Sequence, residues 1–242
     1  DGARVTLQAM HERHPRSAQT LRQLQRLHQQ RGEWPAVIRL LPELRKHRVL
    51  PPARLSELEL LAWTATLEQV GLTQATTGED AQQALNQRWQ TVPGGLRNEP
   101  LLVRAYADGL SRLGAEDKAE EVLYAALKRH FDDRLVERYG RVRGREPSRQ
   151  LMHAEAWLKD HSENAELLLA LGRLCLLNAL WGKARDYLEA SLRVEHRAET
   201  CAELARLLAQ LGDNERSNRL FQEGLGLLGQ SSNSRLQVIS GS

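Results

Sequence analysis

Apolar residues return along most of this chain with the spacing of one helix face. Between Ala165 and Leu177 they fall at Leu167, Leu168, Leu171, Leu174, Cys175 and Leu177, the i, i+3, i+4, i+7 rhythm of a buried helix. A break follows at Asn178–Gly182, and a second helix then carries Ala184, Tyr187, Leu188 and Ser191. Upstream, residues 1–14 predict a helix with Val5, Leu7 and Met10, stopped by Pro15. Ser17 or Thr20 is placed to cap a helix bearing Leu21, Leu24 and Leu27 that ends near Gly32. Trp34-Pro35 opens its partner, with Val37, Ile38, Leu41 and Leu44 on one face and Pro42 expected to kink or shorten it. Pro51-Pro52 is a break. Helices are expected over Ala53–Val70 and Glu79–Gln90, with a polar loop at Thr73–Gly78 between them and Pro93-Gly94-Gly95 after them. From Pro100 the pattern steadies: a helix with Leu102, Tyr106 and Leu110 closed by Gly114, then Lys118–His130, Asp133–Arg143, Pro147–Lys159, the Ala165–Leu192 pair, Ala198–Leu211 and Glu215–Leu228.

These helices repeat. Leu171 and Leu204, Ala184 and Ser217, Leu188 and Phe221, and Ser191 and Gly224 are each 33 apart, and Tyr139-Gly140 precedes Leu171-Gly172 by 32. A period of that length, with Leu-Gly, Ala, a large apolar residue and a small one at these offsets, is the mark of a tetratricopeptide-like helix pair. Small residues let two helices approach, and large ones fill the gap. The expected fold is all-α, a right-handed solenoid of about six helix pairs. The expected organisation is irregular or enlarged pairs over 1–99, regular repeats over 100–229, and a Ser/Gly-rich disordered tail over 230–242, with room for a short segment at Leu236–Ile239.

Composition agrees. The chain has 242 residues, of which 41% are hydrophobic and only 5% aromatic, which suits an array built on Leu and Ala. The net charge of +3 is too diffuse for a nucleic-acid-binding arm. Cys175 and Cys201 lie in apolar helical runs and are expected as buried free thiols. No stretch reaches the ~20 apolar residues of a membrane span.

One charged position recurs with the repeat. Arg26, Arg141, Arg173 and Arg206 follow the close-packed small position of four first helices, with Asp108 standing there in the pair that starts at Pro100. With Arg22 and Arg104 nearby, they form a candidate arginine-lined groove for an acidic ligand, such as a peptide carboxylate or a propionate-bearing tetrapyrrole. Other motifs carry less. Gly224-Leu225-Gly226-Leu227-Leu228-Gly229 spells G-x-G-x-x-G, but a helix precedes it where a dinucleotide site needs a strand. His11-Glu12-Arg13-His14 lacks the zinc-protease spacing, and the two cysteines form no C-x-x-C, so no metal site is expected. No acid, base and nucleophile can be assembled, and no residue is assigned a catalytic role. His28 reads as packing, and His130, His161 and His196 as helix-end cations. Trp34, Trp157 and Trp181 read as core.

The run Leu171-Gly172-Arg173-Leu174-Cys175, through Leu180-Trp181-Gly182-Lys183-Ala184-Arg185, to Tyr187-Leu188-Glu189-Ala190-Ser191-Leu192 resembles the HemY family of proteobacterial membrane-anchored tetratricopeptide proteins. Gly32-Glu33-Trp34-Pro35, Leu40-Leu41-Pro42, Leu44-Arg45-Lys46 and Ala156-Trp157-Leu158 fit the same family. The resemblance implies an anchor in segments absent here and a repeat region on the cytoplasmic face of the inner membrane. It further implies a non-catalytic scaffold of haem biosynthesis that binds haem, a porphyrin or haem-synthesis enzymes, with haem as a bound ligand rather than a cofactor. The runner-up is a generic adaptor that takes acidic peptide segments in the arginine groove. An unrelated flavin-dependent oxidase shares the family's name, but no flavin-binding strand–turn–helix is present.

Overall fold

The computed structural model describes residues 17–70 and 78–240, with side chains as far as Gly229. The expected helix over 1–14 and most of the Thr73–Gly78 loop lie outside the described residues. Among those described there are twelve α-helices, one 3₁₀ turn and no strand. They form two compact units, one up to Ala115 and one from Glu116.

The first unit holds α1 (Ala18–Gln30), α2 (Trp34–Lys46), α3 (Pro52–Gln69), α4 (Gly78–Thr91), the 3₁₀ turn Leu96–Asn98 and α5 (Pro100–Arg112). Ser17 caps α1, its hydroxyl accepting from the Thr20 N–H at 3.3 Å. Gly32 turns the chain at φ +68°, a conformation that costs other residues a steric clash. Helix α2 packs on both α1 and α3, and α5 packs on α3 and α4. Leu21, Val37, Leu41, Leu44, Val49, Leu55, Leu58 and Ala62 form the buried cluster where α1, α2 and α3 meet. Helix α2 continues through Pro42 rather than stopping there. Pro42 sits on the exposed face, where the carbonyl it leaves unpaired can face solvent. His28 is buried as expected, its Nδ1 2.6 Å from Glu33 Oε2.

The second unit holds α6 (Glu116–Arg129), α7 (Asp133–Tyr139), α8 (Pro147–His161), α9 (Ala165–Leu177), α10 (Trp181–Val194), α11 (Ala198–Gln210) and α12 (Asn214–Ser240). Asn164 caps α9 by accepting from the Leu167 N–H at 2.8 Å. Helix α9 is the centre, buried at every position from Leu167 to Cys175 and packed on α7, α8 and α10. The 33-residue register holds in three dimensions. Ser191 Oγ on α10 donates to the carbonyl of Ala165, the first residue of α9, at 2.8 Å. Gly224, 33 residues on, lets α12 approach the carbonyl of Ala198, the first residue of α11. Likewise Ser217 donates to Ala205 at 2.8 Å, where the preceding hairpin sets Ala184 against Gly172.

Three expectations need correction. Helix α7 ends at Tyr139 rather than Arg143, because the buried Gln150 side chain donates to the carbonyls of Tyr139 (2.9 Å) and Val142 (3.0 Å) and accepts from the Gly144 N–H (3.1 Å). That side chain replaces the backbone partners another helical turn would use. Helix α12 extends to Ser240, and the stretch from Gln230 contains no proline. Gly140 and Gly172 share a register but face different neighbours. A Cβ on Gly172 would meet Leu188 of its own partner helix, whereas one on Gly140 would meet Ala170 of the next first helix. Trp181 is 43% exposed rather than core, because it opens α10 at the solvent edge of the turn. Both cysteines are buried and free.

Candidate functional site

Two arrangements of arginine emerge, one in each unit. In the first unit the end of α2 and the start of α3 border an open cavity of about 660 Å³. Its apolar wall is Val49, Leu50, Pro51, Pro52 and Leu55, and Arg22, Arg45 and Arg48 stand around it. Local structure sets the rim. The Arg22 guanidinium on α1 donates to the Val49 carbonyl at 2.6 Å, tying α1 to the α2–α3 connection. Arg48 takes the left-handed conformation (φ +49°) after the His47 cap of α2, and the Val49 N–H then closes onto the Leu44 carbonyl at 3.0 Å. Arg45 donates to Glu59 at 2.7 Å. Three arginines thus stand around an apolar wall, with Arg45 held by a carboxylate outside the lining. The volume falls in the range of small-molecule sites, and the chemistry suits an amphipathic anion with an apolar body and one or two carboxylates.

Of these three arginines, only Arg22 was among the sequence candidates, as a neighbour of the recurring position. Arg45 and Arg48 belong to the basic run Arg45-Lys46-His47-Arg48 ahead of Pro51-Pro52, a local signal of positive charge beside a forced break. Arg26 lies apart, at a smaller cavity of about 270 Å³ with Arg54, Glu57, Leu58 and Leu61. Arg104 pairs within α5 to Asp108 at 3.8 Å.

In the second unit Arg141, Arg173 and Arg206 are brought together, and carboxylates come with them. Arg141 lies just past the end of α7, Arg173 on α9 and Arg206 on α11. Arg141 pairs with Glu137 and Glu199. Arg173 pairs with the same Glu199 oxygen at 2.6 Å and with Glu203 at 3.1 Å. Arg206 reaches Glu203 at 3.5 Å. Three guanidiniums and three carboxylates therefore alternate from the end of α7 across α9 and α11. Arg173 is 7% exposed, and its Nη1 has no hydrogen-bond partner. Burial, and then the neighbouring Arg141, push its guanidinium below the usual arginine range. Arg141 and Arg206 remain partly exposed.

A third, polar cleft of about 370 Å³ lies over α6 and α8, lined by Glu120, Tyr124, Arg149 and His153 among others. His153 stacks on Tyr124 at a centroid distance of 4.0 Å, and desolvation holds its imidazole below the ordinary range.

No protein-family model matches the chain. It is 24% identical over 213 residues to Protein HemY of Escherichia coli K12, a match covering 88% of this chain and 52% of that protein. Protein HemY of Shigella flexneri matches to the same extent. The chain therefore spans about half the length of the curated relatives it matches. Among solved structures, MamA 41-end from Desulfovibrio magneticus RS-1 aligns at TM-score 0.42 and 14% identity, over 71% of this chain and 96% of that one. The MamA RS-1 ArsTM double mutant aligns at 0.44 and 12%, over 73% and 97%.

Proposed function

We propose that this chain is a non-catalytic interaction scaffold of haem or porphyrin biosynthesis, which takes a tetrapyrrole in the arginine-rimmed cavity of its first unit. The observation that carries the reading is the pairing of that apolar wall with Arg22, Arg45 and Arg48. A porphyrin has the matching chemistry: a flat apolar body with carboxylates on one edge. Helix hairpins with exposed side chains also suit protein partners, and haem-synthesis enzymes are the partners in this reading. The similarity to Protein HemY supports the assignment. No described helix is long and apolar enough to cross a membrane, so attachment to the inner membrane, with the repeats on its cytoplasmic face, rests in this reading on segments outside these residues.

The test is haem titration followed by the Soret band, with Arg48→Ala and Arg22→Ala alongside. Saturable equimolar binding that weakens in both variants supports the reading. Non-saturating uptake, or equal affinity in all three proteins, removes it.

The Arg141–Arg173–Arg206 cluster favours a second reading, an adaptor for acidic peptide segments. An incoming carboxylate must there displace Glu199 or Glu203. Glu199→Gln should then tighten binding of a fluorescent acidic peptide, and no change would exclude this face.

A further inference from the structure

A different side-chain cluster sits in the second unit, away from the arginines. His196 lies in the turn between α10 and α11, Cys201 in the first turn of α11, and Glu223 on α12. His196 Nε2 is 3.3 Å from Glu223 Oε2 and 3.9 Å from Cys201 Sγ, and the three ligand atoms lie within 4.8 Å of one another. The thiol is buried, while the imidazole and carboxylate above it are about half exposed. Backbone geometry sets this up. Gly224 brings α12 so close that a Cβ there would be 3.3 Å from Cys201 Cβ, and that approach carries the adjacent Glu223 over the thiol.

We propose that His196, Cys201 and Glu223 form a binding site for a divalent cation of the zinc class. Three donor types meet here that such an ion accepts: thiolate, neutral imidazole and carboxylate. The spacing fits as well. Zinc bonds of about 2.0–2.1 Å to nitrogen or oxygen and about 2.3 Å to sulfur put tetrahedral ligand atoms roughly 3.3–3.7 Å apart. Two of the three separations are therefore near their bound values before any movement. The sulfur and carboxylate sit on neighbouring helices whose side chains need only small rotations. Binding replaces the S–H bond of Cys201 with a metal–sulfur bond and releases that proton to solvent. One thiolate and one carboxylate then balance the charge of the ion, and the fourth position faces solvent. A cation here clamps α12 to the start of α11. The isolated cysteines offered no zinc spacing in the sequence, because His196 and Glu223 come from either side of Cys201 and meet it only when α12 folds back. This site is independent of the proposed tetrapyrrole cavity, which lies in the other unit.

The test uses cobalt(II) chloride with the full chain at neutral pH, followed by zinc chloride competition. One equivalent should bring up a near-ultraviolet thiolate-to-cobalt charge-transfer band and the visible bands of a tetrahedral ion, and zinc should abolish both. Cys201→Ser should remove the charge-transfer band. Loss of an outer partner alone weakens metal sites by about 10- to 100-fold, so His196→Ala and Glu223→Gln should weaken cobalt binding by about 100-fold or more. Cys175→Ser should leave it unchanged. Absence of the thiolate band in the parent chain, its survival in Cys201→Ser, or equal affinity in the two surface variants would overturn the proposal. Should Cys201→Ser fail to fold, the surface variants still decide, with far-ultraviolet circular dichroism as the check on their folding.

Discussion

Gly140 meets Ala170 backbone to backbone: a Cβ on Gly140 would lie 2.6 Å from both the Cα and the Cβ of Ala170. The end of α7 and the middle of α9 touch with no side chain between them. Gly140→Ala therefore has to separate two backbones, and overpacking of that kind should cost about 3 kcal/mol. Gly172→Ala displaces only the Leu188 side chain, and should cost about 1–2 kcal/mol. Gly182, inside α10 with nothing within 4 Å of its added Cβ, is the control: Gly182→Ala should stabilise by about 0.5–1 kcal/mol. Urea unfolding midpoints will rank the three.

Ala179 takes the left-handed conformation (φ +56°) between α9 and α10, where Gly32 and Gly212 serve other hairpins. An L-residue pays a steric cost in that conformation. Ala179→Gly should raise stability by about 0.5–1 kcal/mol after the entropy of the extra glycine is counted. A higher thermal midpoint is the expected result.

Gln150 holds the shortened end of α7 through two carbonyls and one N–H. Gln150→Ala strands these buried groups, at about 1–3 kcal/mol for each one left without a partner. The expected loss is about 2–3 kcal/mol by urea titration. Amide exchange should quicken first around residues 140–146.

Arg173 is buried, and it pairs with both Glu199 and Glu203. Arg173→Ala should cost about 1–3 kcal/mol, below the figure for stranding a buried charge, because Glu199 keeps Arg141 and Glu203 keeps Arg206. Glu199 is one-third exposed, so Glu199→Gln should cost less than about 1 kcal/mol. A double-mutant cycle between the two positions should return a clear coupling energy.

Alkaline pH should loosen the second unit. Burial pushes the Cys175 thiol up to about 11, and burial also raises the Tyr139 and Tyr187 phenols, helped by Glu120 and Glu155 respectively. Folding thus favours the protonated forms. For Cys175 the stabilisation is complete below the unfolded thiol value of about 8.5 and is lost as pH rises through the folded value. Urea midpoints should fall between about pH 8 and 11, with Cys175 contributing up to about 1.4 kcal/mol per pH unit. Cys175→Ala should flatten that decline.

The repeat could be read from the chain because it is written in packing sizes. Ser191 and Gly224 are small for the same reason: each faces the first residue of its partner helix. What could not be read was decided by distant partners. Tyr139-Gly140-Arg141 matches Leu171-Gly172-Arg173 letter by letter in kind. Yet α7 stops at Tyr139 because a glutamine eleven positions later takes its carbonyl. The recurring arginines were visible, but not the carboxylates that meet them, since Glu199 is 58 residues from Arg141 and 26 from Arg173. Arg48 joined the cavity rim through a left-handed turn that nothing in its own identity announces.

Glu199 has one further consequence. A single oxygen of this side chain serves guanidiniums from two successive hairpins while its own backbone belongs to a third. Sliding the Glu199 hairpin by one helical turn would break both links at once, and sliding either of the others would break its own. The carboxylate thus behaves as a pin through three stacked plates, and this unit should resist shear there more than flexing at either end.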